Sequence, residues 1–467
     1  MRLAILSCLV GIAASAHAAP HLAPPVLVEP QRAELAAAGE VPRVLYLDRC
    51  ASNCVVQSTA NDATSNNSTI PMGKSSYTLT AFAFGDAEWA AVMKCVQDVF
   101  SPYNVSVVDA RPADGTLYNK TFVAGLPSEI GQAGDVLGIA PLAQNCSVLS
   151  NTVAFAFANQ HAPTDRVNNL CWTVAQESAH MYGLDHEYQF IDGASACNDP
   201  MTYRNDCGGE KFFRDRAAQC GMFALADCKC GRATQNSDAL LLGIFDAGTP
   251  STTAPVVSIV VPAASGTIVS NGFAVQAKGG AQRGIERMDL VLNGHTWTSV
   301  PGTAFGSAGQ PTIVYALQLP AKVPNGVIDI QVRGVDDIGV ATLTSAVTVT
   351  KGTPCADAST CLTGQKCEAG KCFWDAPVAE VGASCTYNEA CTTNACIAGT
   401  CEQPCDPAST SVRDACSSGT ACVVSNGANI CQPVAGGGCC SSSRDGAAQA
   451  LLGMFGLAAL LVRRRRC

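Results

Sequence analysis

Residues 174–186 read "VAQESAHMYGLDH", and they concentrate side chains that bind metals or transfer protons. Gln176 and His180 stand four residues apart, which places both side chains on one face of a helix. Glu177 lies one position further round the same helix. The first half of the stretch therefore predicts an amide, an imidazole and a carboxylate near one point.

The second half of the stretch returns the chain to that point. Gly183 can adopt a left-handed backbone conformation, which ends the helix and turns the chain back. The turn brings His186 toward His180. We expect one locus that holds two imidazoles, a carboxylate and an amide.

Composition limits the classes of protein and partner. The chain has 467 residues and a net charge of −9, and 14% of its residues are charged. Its length predicts several modules. No basic stretch precedes the extreme C-terminus, which argues against a nucleic-acid partner.

The N-terminus predicts export. Residues 1–18 have a positive start at Arg2, an apolar run and an A-x-A cleavage site ending at Ala18, which is the pattern of a secretory signal peptide. Residues 19–40 contain four prolines and are interpreted as a linker, with a short pro-segment as the alternative.

Cysteine positions divide the chain. Of the 26 cysteines, ten fall between Cys50 and Cys230, twelve between Cys355 and Cys431, and none in residues 231–354. Such a number predicts disulfides in an oxidising compartment. The two even groups predict two separately cross-linked regions.

Residues 41–248 alternate strand-like and helix-like patterns. Strands are predicted at 43–48, 104–110, 135–140 and 151–158, and helices after Asp86, after Thr164 or Asp165, and at 237–245. This alternation predicts an α/β or α+β domain.

Two further modules follow. Residues 255–350 contain about seven short β-rich runs, which predict an all-β sandwich. They resemble the Ig-like modules that bacterial surface proteins carry as spacers or adhesive units, and the spacer interpretation is favoured. Residues 355–431 hold three groups of four cysteines, which predict disulfide knots with little secondary structure rather than zinc sites.

The tail, residues 436–467, combines "GGGCC", a Ser-rich patch, an apolar run and Arg463 to Arg466. It resembles the C-terminal sorting signal of myxobacterial surface proteins. The resemblance implies cleavage near Cys439 or Cys440 and anchoring at the cell surface. The alternative is a plain C-terminal membrane anchor, oriented by the arginines.

Residues 41–248 also resemble the metzincin superfamily of zinc peptidases. The motif H-E-x-x-H-x-x-G-x-x-H is matched at Glu177, His180, Gly183 and His186. A second match is "DPMTY", residues 199–203: metzincins place a methionine in a tight turn beneath the metal, often with a tyrosine two residues later.

The resemblance implies a role for each matched residue. His180 and His186 would bind Zn²⁺, and Glu177 would act as general base and then general acid on a peptide bond. Met201 would form the turn beneath the metal. Tyr203 would hydrogen-bond the reacting carbonyl oxygen.

Two elements around these residues carry further expectations. Strand 151–158 would pair with an extended peptide as an added strand. Cys197 and Cys207 flank the methionine turn and are candidates for a disulfide that rigidifies it.

Gln176 departs from the motif, since a histidine stands there in the family. Its neutral amide oxygen suits hard cations better than zinc. His161, the only other histidine in the domain, is expected in a surface loop. Two hypotheses remain open: a peptidase with a Gln/His/His zinc site, and an inactive pseudoprotease that binds peptide or polymer at the cell surface.

Overall fold

A computed structural model describes residues 23–29, 41–205, 207, 210–305, 313–407, 409, 416–417 and 420–433. The predicted signal peptide, 1–18, and the predicted sorting signal, 436–467, lie outside these residues. The described chain is built mostly of β-strands with few helices and ends in a disulfide-rich region. Among the described residues, no helix has both the length and the apolar character needed to cross a membrane.

The first domain contains all three α-helices of the described chain. Its elements, in chain order, are β1 Val26–Val28, β2 Val44–Asp48, β3 Cys54–Ser58, β4 Asn67–Ser68, β5 Ser76–Leu79, α1 Gly85–Phe100, β6 Ser106–Val108, β7 Asn119–Val123, β8 Gly138–Ile139, β9 Pro141–Ala143, β10 Val153–Ala156, α2 Arg166–Met181, β11 Glu187–Phe190, β12 Ala218–Cys220 and α3 Ser237–Phe245.

A five-stranded sheet with the order β6-β2-β7-β10-β8 organises this domain. Its strands are parallel except β8, which runs antiparallel to β10. Residues of β2 alternate between the faces: Leu45 and Leu47 pack with α1 and α2, whereas Tyr46 packs in a second core on the other side of the sheet. This two-sided burial follows from the period of two in a strand.

The two long helices are joined covalently. Cys95 of α1 and Cys171 of α2 form a disulfide with their Cα atoms 6.0 Å apart. The prediction that Asp86 caps α1 is wrong, because the helix begins at Gly85 and Asp86 lies in its first turn. There its carboxylate is close to the positive end of the helix dipole.

The strand expected to pair with a peptide is not at the edge of the sheet. β10 lies between β7 and β8, and both of its faces are buried. Ala154 and Ala156 face the helices, while Val153 and Phe155 pack in the second core. The edge position belongs to β8, so the expectation that strand 151–158 has a free edge for an added strand is wrong.

The predicted linker 19–40 is partly structured. β1 pairs in parallel with β9, with Val26 opposite Pro141 and Val28 opposite Ala143. The amide of Ala23 also donates to the carbonyl of Gly138 in β8 (3.2 Å). The described part of this segment therefore lies along the edge of the sheet and covers it. The prediction of a linker without contacts to the domain is wrong for this part.

The second domain consists of two sheets around one core. Its strands are β13 Val256–Val261, β14 Thr267–Val269, β15 Ala274–Gly280, β16 Gly284–Leu292, β17 His295–Phe305, β18 Ile313–Gln318, β19 Gly326–Val335, β20 Ala341–Leu343 and β21 Val347–Lys351. β13, β15 and β18 form one sheet, and the other six strands form the second.

The disulfide-rich region contains short hairpins, formed by β22 Lys366–Glu368, β23 Lys371–Phe373, β24 Cys396–Ile397, β25 Thr400–Cys401, β26 Thr420–Ser425 and β27 Ala428–Pro433. Each group of four cysteines pairs its first with its third and its second with its fourth, as in Cys355–Cys367 and Cys361–Cys372. The prediction of disulfides within each region is confirmed, since the ten cysteines of the first domain also pair among themselves.

Candidate functional site

The two histidines of the motif meet in the interior of the first domain. His180 lies in the last turn of α2, and His186 follows the turn after that helix. Their Nε2 atoms are 3.2 Å apart, and the two rings meet edge to face with centroids 4.6 Å apart. Both residues are almost fully buried, at 0% and 2% exposure.

Gly183 makes this return of the chain possible. α2 ends at Met181, and Gly183 has a φ of +87°, in the left-handed region. A Cβ atom at this position would lie 2.2 Å from the carbonyl oxygen of Cys146, so the turn requires glycine on both counts.

The ring of His180 is oriented by the backbone. Its Nδ1 lies 2.7 Å from the carbonyl oxygen of Leu184. Because a carbonyl only accepts, Nδ1 carries the proton and Nε2 presents its lone pair. Burial lowers the pKa of His180 to about 4, so the ring is neutral at pH 7.

His186 is positioned by Asp185, its neighbour in sequence, and by Gln235, which lies just before α3. Its amide donates to the Asp185 carboxylate (2.8 Å), and the Asp185 amide donates to Gln235 Oε1 (2.7 Å). Burial, then the neighbouring His180, lower the pKa of His186 well below its ordinary value. The 3.9 Å approach of its Nδ1 to Asp185 is therefore not an ion pair at neutral pH.

Gln176 is buried and fixed by the turn that contains the methionine. Its Nε2 donates to the carbonyl oxygen of Pro200 (2.7 Å). Since this contact needs the amide nitrogen, it also fixes the amide orientation. Gln176 Oε1 is left buried, with no hydrogen-bond partner among the described residues.

Glu177 is a fully buried carboxyl group. Neither of its oxygens has a hydrogen-bond partner among the described residues, and burial raises its pKa well above the ordinary value. Gly138 of β8 packs directly on it, since a Cβ atom there would lie 2.7 Å from Glu177 Cγ. The edge strand and the carboxyl group are thus in contact.

Met201 and Tyr203 lie close to His186 and the residue that follows it. Met201 is fully buried, and its carbonyl accepts from the amide of Glu187, the residue after His186 (2.8 Å). The ring of Tyr203 meets the ring of His186 with centroids 4.6 Å apart. Its hydroxyl is buried without a partner among the described residues, and burial, followed by the charge of Glu177, raises its pKa.

Asp199 shapes the methionine turn. Its carboxylate accepts from the amide of Met201 (2.8 Å), the amide of Arg214 (2.8 Å) and the hydroxyl of Ser237 (2.6 Å). Cys197, two residues earlier, is joined to Cys207 by a disulfide. The turn is therefore fixed on both sides.

The side chains fit a bound cation at this locus. In a tetrahedral zinc site with Zn–N bonds of about 2.0–2.1 Å, two ligand nitrogens are about 3.3–3.4 Å apart, and the two Nε2 atoms are 3.2 Å apart. Gln176 Oε1 and the Glu177 carboxyl group supply buried polar atoms that need a partner.

Glu177 is excluded as a third ligand in its present position. Among the described residues, its oxygens and the two histidine nitrogens do not all lie within 4.8 Å of one another. Ligands of one ion at about 2 Å would be closer than that.

Among the described residues, neither His161 nor the cysteines supply a further ligand at this place. His161 is 5% exposed, so the expectation of a surface position is wrong, and burial lowers its pKa to about 4. Within the described chain, its ring nitrogens do not join those of His180 and His186. The cysteine groups that lie close enough to hold an ion are paired in disulfides and carry no free thiolate.

A cleft leads from the surface to His186. Its lining combines apolar residues, which are Pro24, Pro25, Leu27, Met222 and Ala226, with the charged residues Asp185, Asp227 and Lys229. Phe223, in the same loop as Met222, is 68% exposed and lies 5.2 Å from Tyr203 by ring centroids. The N-terminal segment that carries β1 thus forms one side of the cleft.

Sequence reasoning did not find several residues that support the site. Gly138 could have been identified from the sequence, because a glycine inside a strand often marks a place where another group approaches the backbone closely. Asp185 and Asp199 stand next to motif residues, but nothing in their spacing shows what they bind. Gln235 had no signal, since it reaches Asp185 only through the fold.

Comparisons with known proteins do not identify the chain. No family model matches it, and no curated protein matches it. Similar solved structures include the fibronectin(III)-like modules of Clostridium thermocellum CbhA (18% identity, 21% of this chain and 95% of that one, TM-score 0.15) and a lytic polysaccharide monooxygenase of Jonesia denitrificans (15%, 19% and 58%, 0.16). OgpA from Akkermansia muciniphila is similar at 12% identity, over 50% of this chain and 64% of that one, with a TM-score of 0.16. TM-scores this low establish neither the fold nor the function of this chain.

Proposed function

We propose that residues 41–248 form a metzincin-like zinc metallopeptidase domain with a variant Gln/His/His site. The observation that carries the proposal is the 3.2 Å approach of the His180 and His186 Nε2 atoms. Beside them lie buried oxygens without partners. Leaving such groups without a partner destabilises a fold, whereas a cation and its water would satisfy them.

His180, His186 and Gln176 Oε1 would hold the ion. Zinc, when bound, supplies positive charge that lowers the pKa of a water molecule and polarises a carbonyl group. Imidazole nitrogen suits zinc, while the amide oxygen is a weaker, neutral ligand. We therefore expect weaker zinc binding than a three-histidine site gives.

Glu177 would transfer the proton. Its carboxylate would accept a proton from water and deliver it to the leaving amine nitrogen of the substrate. Burial raises the pKa of this carboxyl well above its ordinary value, and a cation held beside it would lower the pKa again and favour the carboxylate that accepts the proton. Tyr203 would donate its hydroxyl hydrogen to the carbonyl oxygen of the scissile bond as negative charge develops there.

The substrate would be an extended peptide. β8 is the edge strand nearest to Glu177, and an extended peptide would pair with its backbone in place of the segment around β1 that lies along it. The apolar part of the cleft beside His186, formed by Pro24, Pro25, Leu27, Met222 and Ala226, favours an apolar side chain in the peptide. Together with the sequence pattern of the termini and the disulfides, this supports an exported protein displayed at the cell surface, with an Ig-like second domain.

A pseudoprotease is the second candidate, and Gln176 favours it. In that case the cleft binds peptide or polymer at the cell surface without cleaving it. The two candidates share a fold and differ in whether the intact protein hydrolyses peptide bonds.

The deciding experiment measures zinc binding and peptide cleavage by the full exported chain. For the peptidase we expect chelator-sensitive cleavage by the wild type. Gln176→His should raise zinc affinity at least about 10-fold, by the size of ligand-shell effects. Glu177→Gln should abolish cleavage while zinc stays bound.

Gln57→His is the control for an added histidine, because Gln57 is exposed on β3. It should leave zinc affinity unchanged. Zinc binding without cleavage in the wild type identifies the pseudoprotease. If Gln176→His binds zinc no better than Gln57→His, the two histidines do not form a metal site.

A further inference from the structure

We infer that Asp337 of the second domain is a positioning residue for the site in the first domain. It acts through Arg214 and Asp199 on the turn around Met201. The effect on zinc binding rests on the proposed function, whereas the effect on the turn does not. The second domain would then help to position the site, which a spacer does not do.

Asp337 anchors the contact between the domains. Its carboxylate accepts from Arg214 Nη1 (2.8 Å), Arg283 Nε (2.7 Å) and Arg283 Nη2 (3.0 Å). All three side chains are at most 6% exposed. Removing the central charge from such a buried group leaves two arginines uncompensated, which is strongly unfavourable.

Each arginine crosses from its own domain to the other. Arg214 Nη1 donates to the carbonyl oxygen of Arg283 (2.7 Å), and Arg283 Nη2 donates to the carbonyl oxygen of Phe213 (3.1 Å). The position of the 213–214 backbone is therefore set by contacts with the second domain.

That backbone is bound to the methionine turn. The Arg214 amide donates to Asp199 Oδ2, and the Met201 amide donates to Asp199 Oδ1, both at 2.8 Å. One carboxylate thus connects the two segments. A shift of the Arg214 backbone has to move Asp199 or break one of these hydrogen bonds.

The methionine turn contacts Gln176, a proposed ligand, and Glu187, the residue after the proposed ligand His186. The Pro200 carbonyl holds the Gln176 amide (2.7 Å). The Met201 carbonyl accepts from Glu187, directly after His186 (2.8 Å). The path from Asp337 to the site is continuous: the Arg214–Asp337 hydrogen bond is partly buried, and the hydrogen bonds of Asp199 and Gln176 that follow it are buried.

The second domain contains a matched control. Asp289 is buried and accepts from Arg287 Nε (2.8 Å) and Arg333 Nε (2.9 Å), so it is also a carboxylate between two arginines. Both partners belong to the second domain. Asp289→Asn therefore makes the same chemical change without altering the contact with Arg214.

The experiment compares Asp337→Asn, Asp289→Asn and the wild type as full chains, by hydrogen exchange and zinc titration. Asp337→Asn should speed exchange at the amides of Met201 and Arg214 about 10-fold or more and leave α1 unchanged. Zinc affinity should fall about 10-fold, in the range of other supporting contacts. Asp337→Glu should recover part of both losses, and Asp289→Asn should change neither.

Equal exchange at Met201 in the two asparagine variants would overturn the inference. So would exchange that rises equally in α1, because Asp337 would then act only on overall stability. If the wild type binds no zinc, the proposed function fails. The exchange result at Met201 then still decides the role of Asp337.

Discussion

At the scale of single residues, the turn after α2 is the most constrained point of the site. Gly183 combines a left-handed φ of +87° with a neighbouring carbonyl 2.2 Å from where a Cβ would stand. Gly193 has the same φ, but the nearest atom to its Cβ position is a flexible side-chain nitrogen 3.6 Å away. Substituting these two glycines therefore separates the cost of a left-handed backbone, which both share, from the cost of a steric clash, which only Gly183 has.

We expect Gly193→Ala to cost about 1–2 kcal/mol of unfolding free energy, the price of a left-handed L-residue. Gly183→Ala should cost more, because the Cys146 carbonyl must also move. It should also weaken zinc binding about 10-fold, since the turn positions His186. Denaturant unfolding and zinc titration of both variants check this. Equal losses in the two variants would mean that the Cys146 contact is unimportant.

The convergence of His180 and His186 was predictable from local spacing, because a helix and a glycine turn fix it. The supporting residues were not. Gln235 binds Asp185 from 50 positions away in sequence, and such a contact exists only after the sheet and hairpin have formed. The burial of His161 also depends on tertiary packing, which a single sequence position does not reveal.

At the scale of elements, strand existence was easier to predict than strand position. The apolar pattern predicted strands at 43–48 and 151–158, and β2 and β10 lie there. The pattern could not show that β10 is interior, since that depends on the order of strands. β8 lies within the strand predicted at 135–140 but is only two residues long.

The pairing of β1 with the sheet edge predicts that this segment competes with a peptide. The Val26 amide donates to the Ala140 carbonyl (2.8 Å). Val26→Pro removes this donor, whereas Val26→Ala keeps it and shortens only the side chain. We expect Val26→Pro to increase the affinity for extended apolar peptides several-fold, with Val26→Ala close to the wild type.

Peptide titration by fluorescence anisotropy checks this prediction. Thermal unfolding of both variants shows whether the fold is retained. If Val26→Pro binds peptides no better than Val26→Ala, β1 does not occupy the peptide-binding edge.

At the scale of the whole molecule, cysteine positions located the cross-linked regions, because disulfides within a domain leave an even count. The contact between the first and second domains was not predictable. Arg214, Arg283 and Asp337 are far apart in sequence and belong to no motif. Their burial, rather than their spacing, shows that the second domain is packed on the first.

Acid should weaken this contact in a defined range of pH. Burial tends to raise the pKa of Asp337, but the opposing charges of Arg283 and Arg214 outweigh it and hold the pKa at about 2. An unfolded aspartate has a pKa of about 3.9. Because the folded pKa is the lower one, the stabilisation from ionised Asp337 is complete above about pH 4 and is lost as the pH falls toward 2.

We therefore expect the difference in unfolding free energy between wild type and Asp337→Asn to be largest at pH 5 and to shrink steadily between pH 4 and pH 2. Calorimetry of the full chain across this range measures it. Asp246→Asn is the control, since Asp246 forms an exposed pair with Arg43 and its removal should cost less than about 1 kcal/mol. A difference that stays constant from pH 5 to pH 2 would show that the charge of Asp337 does not hold the two domains together.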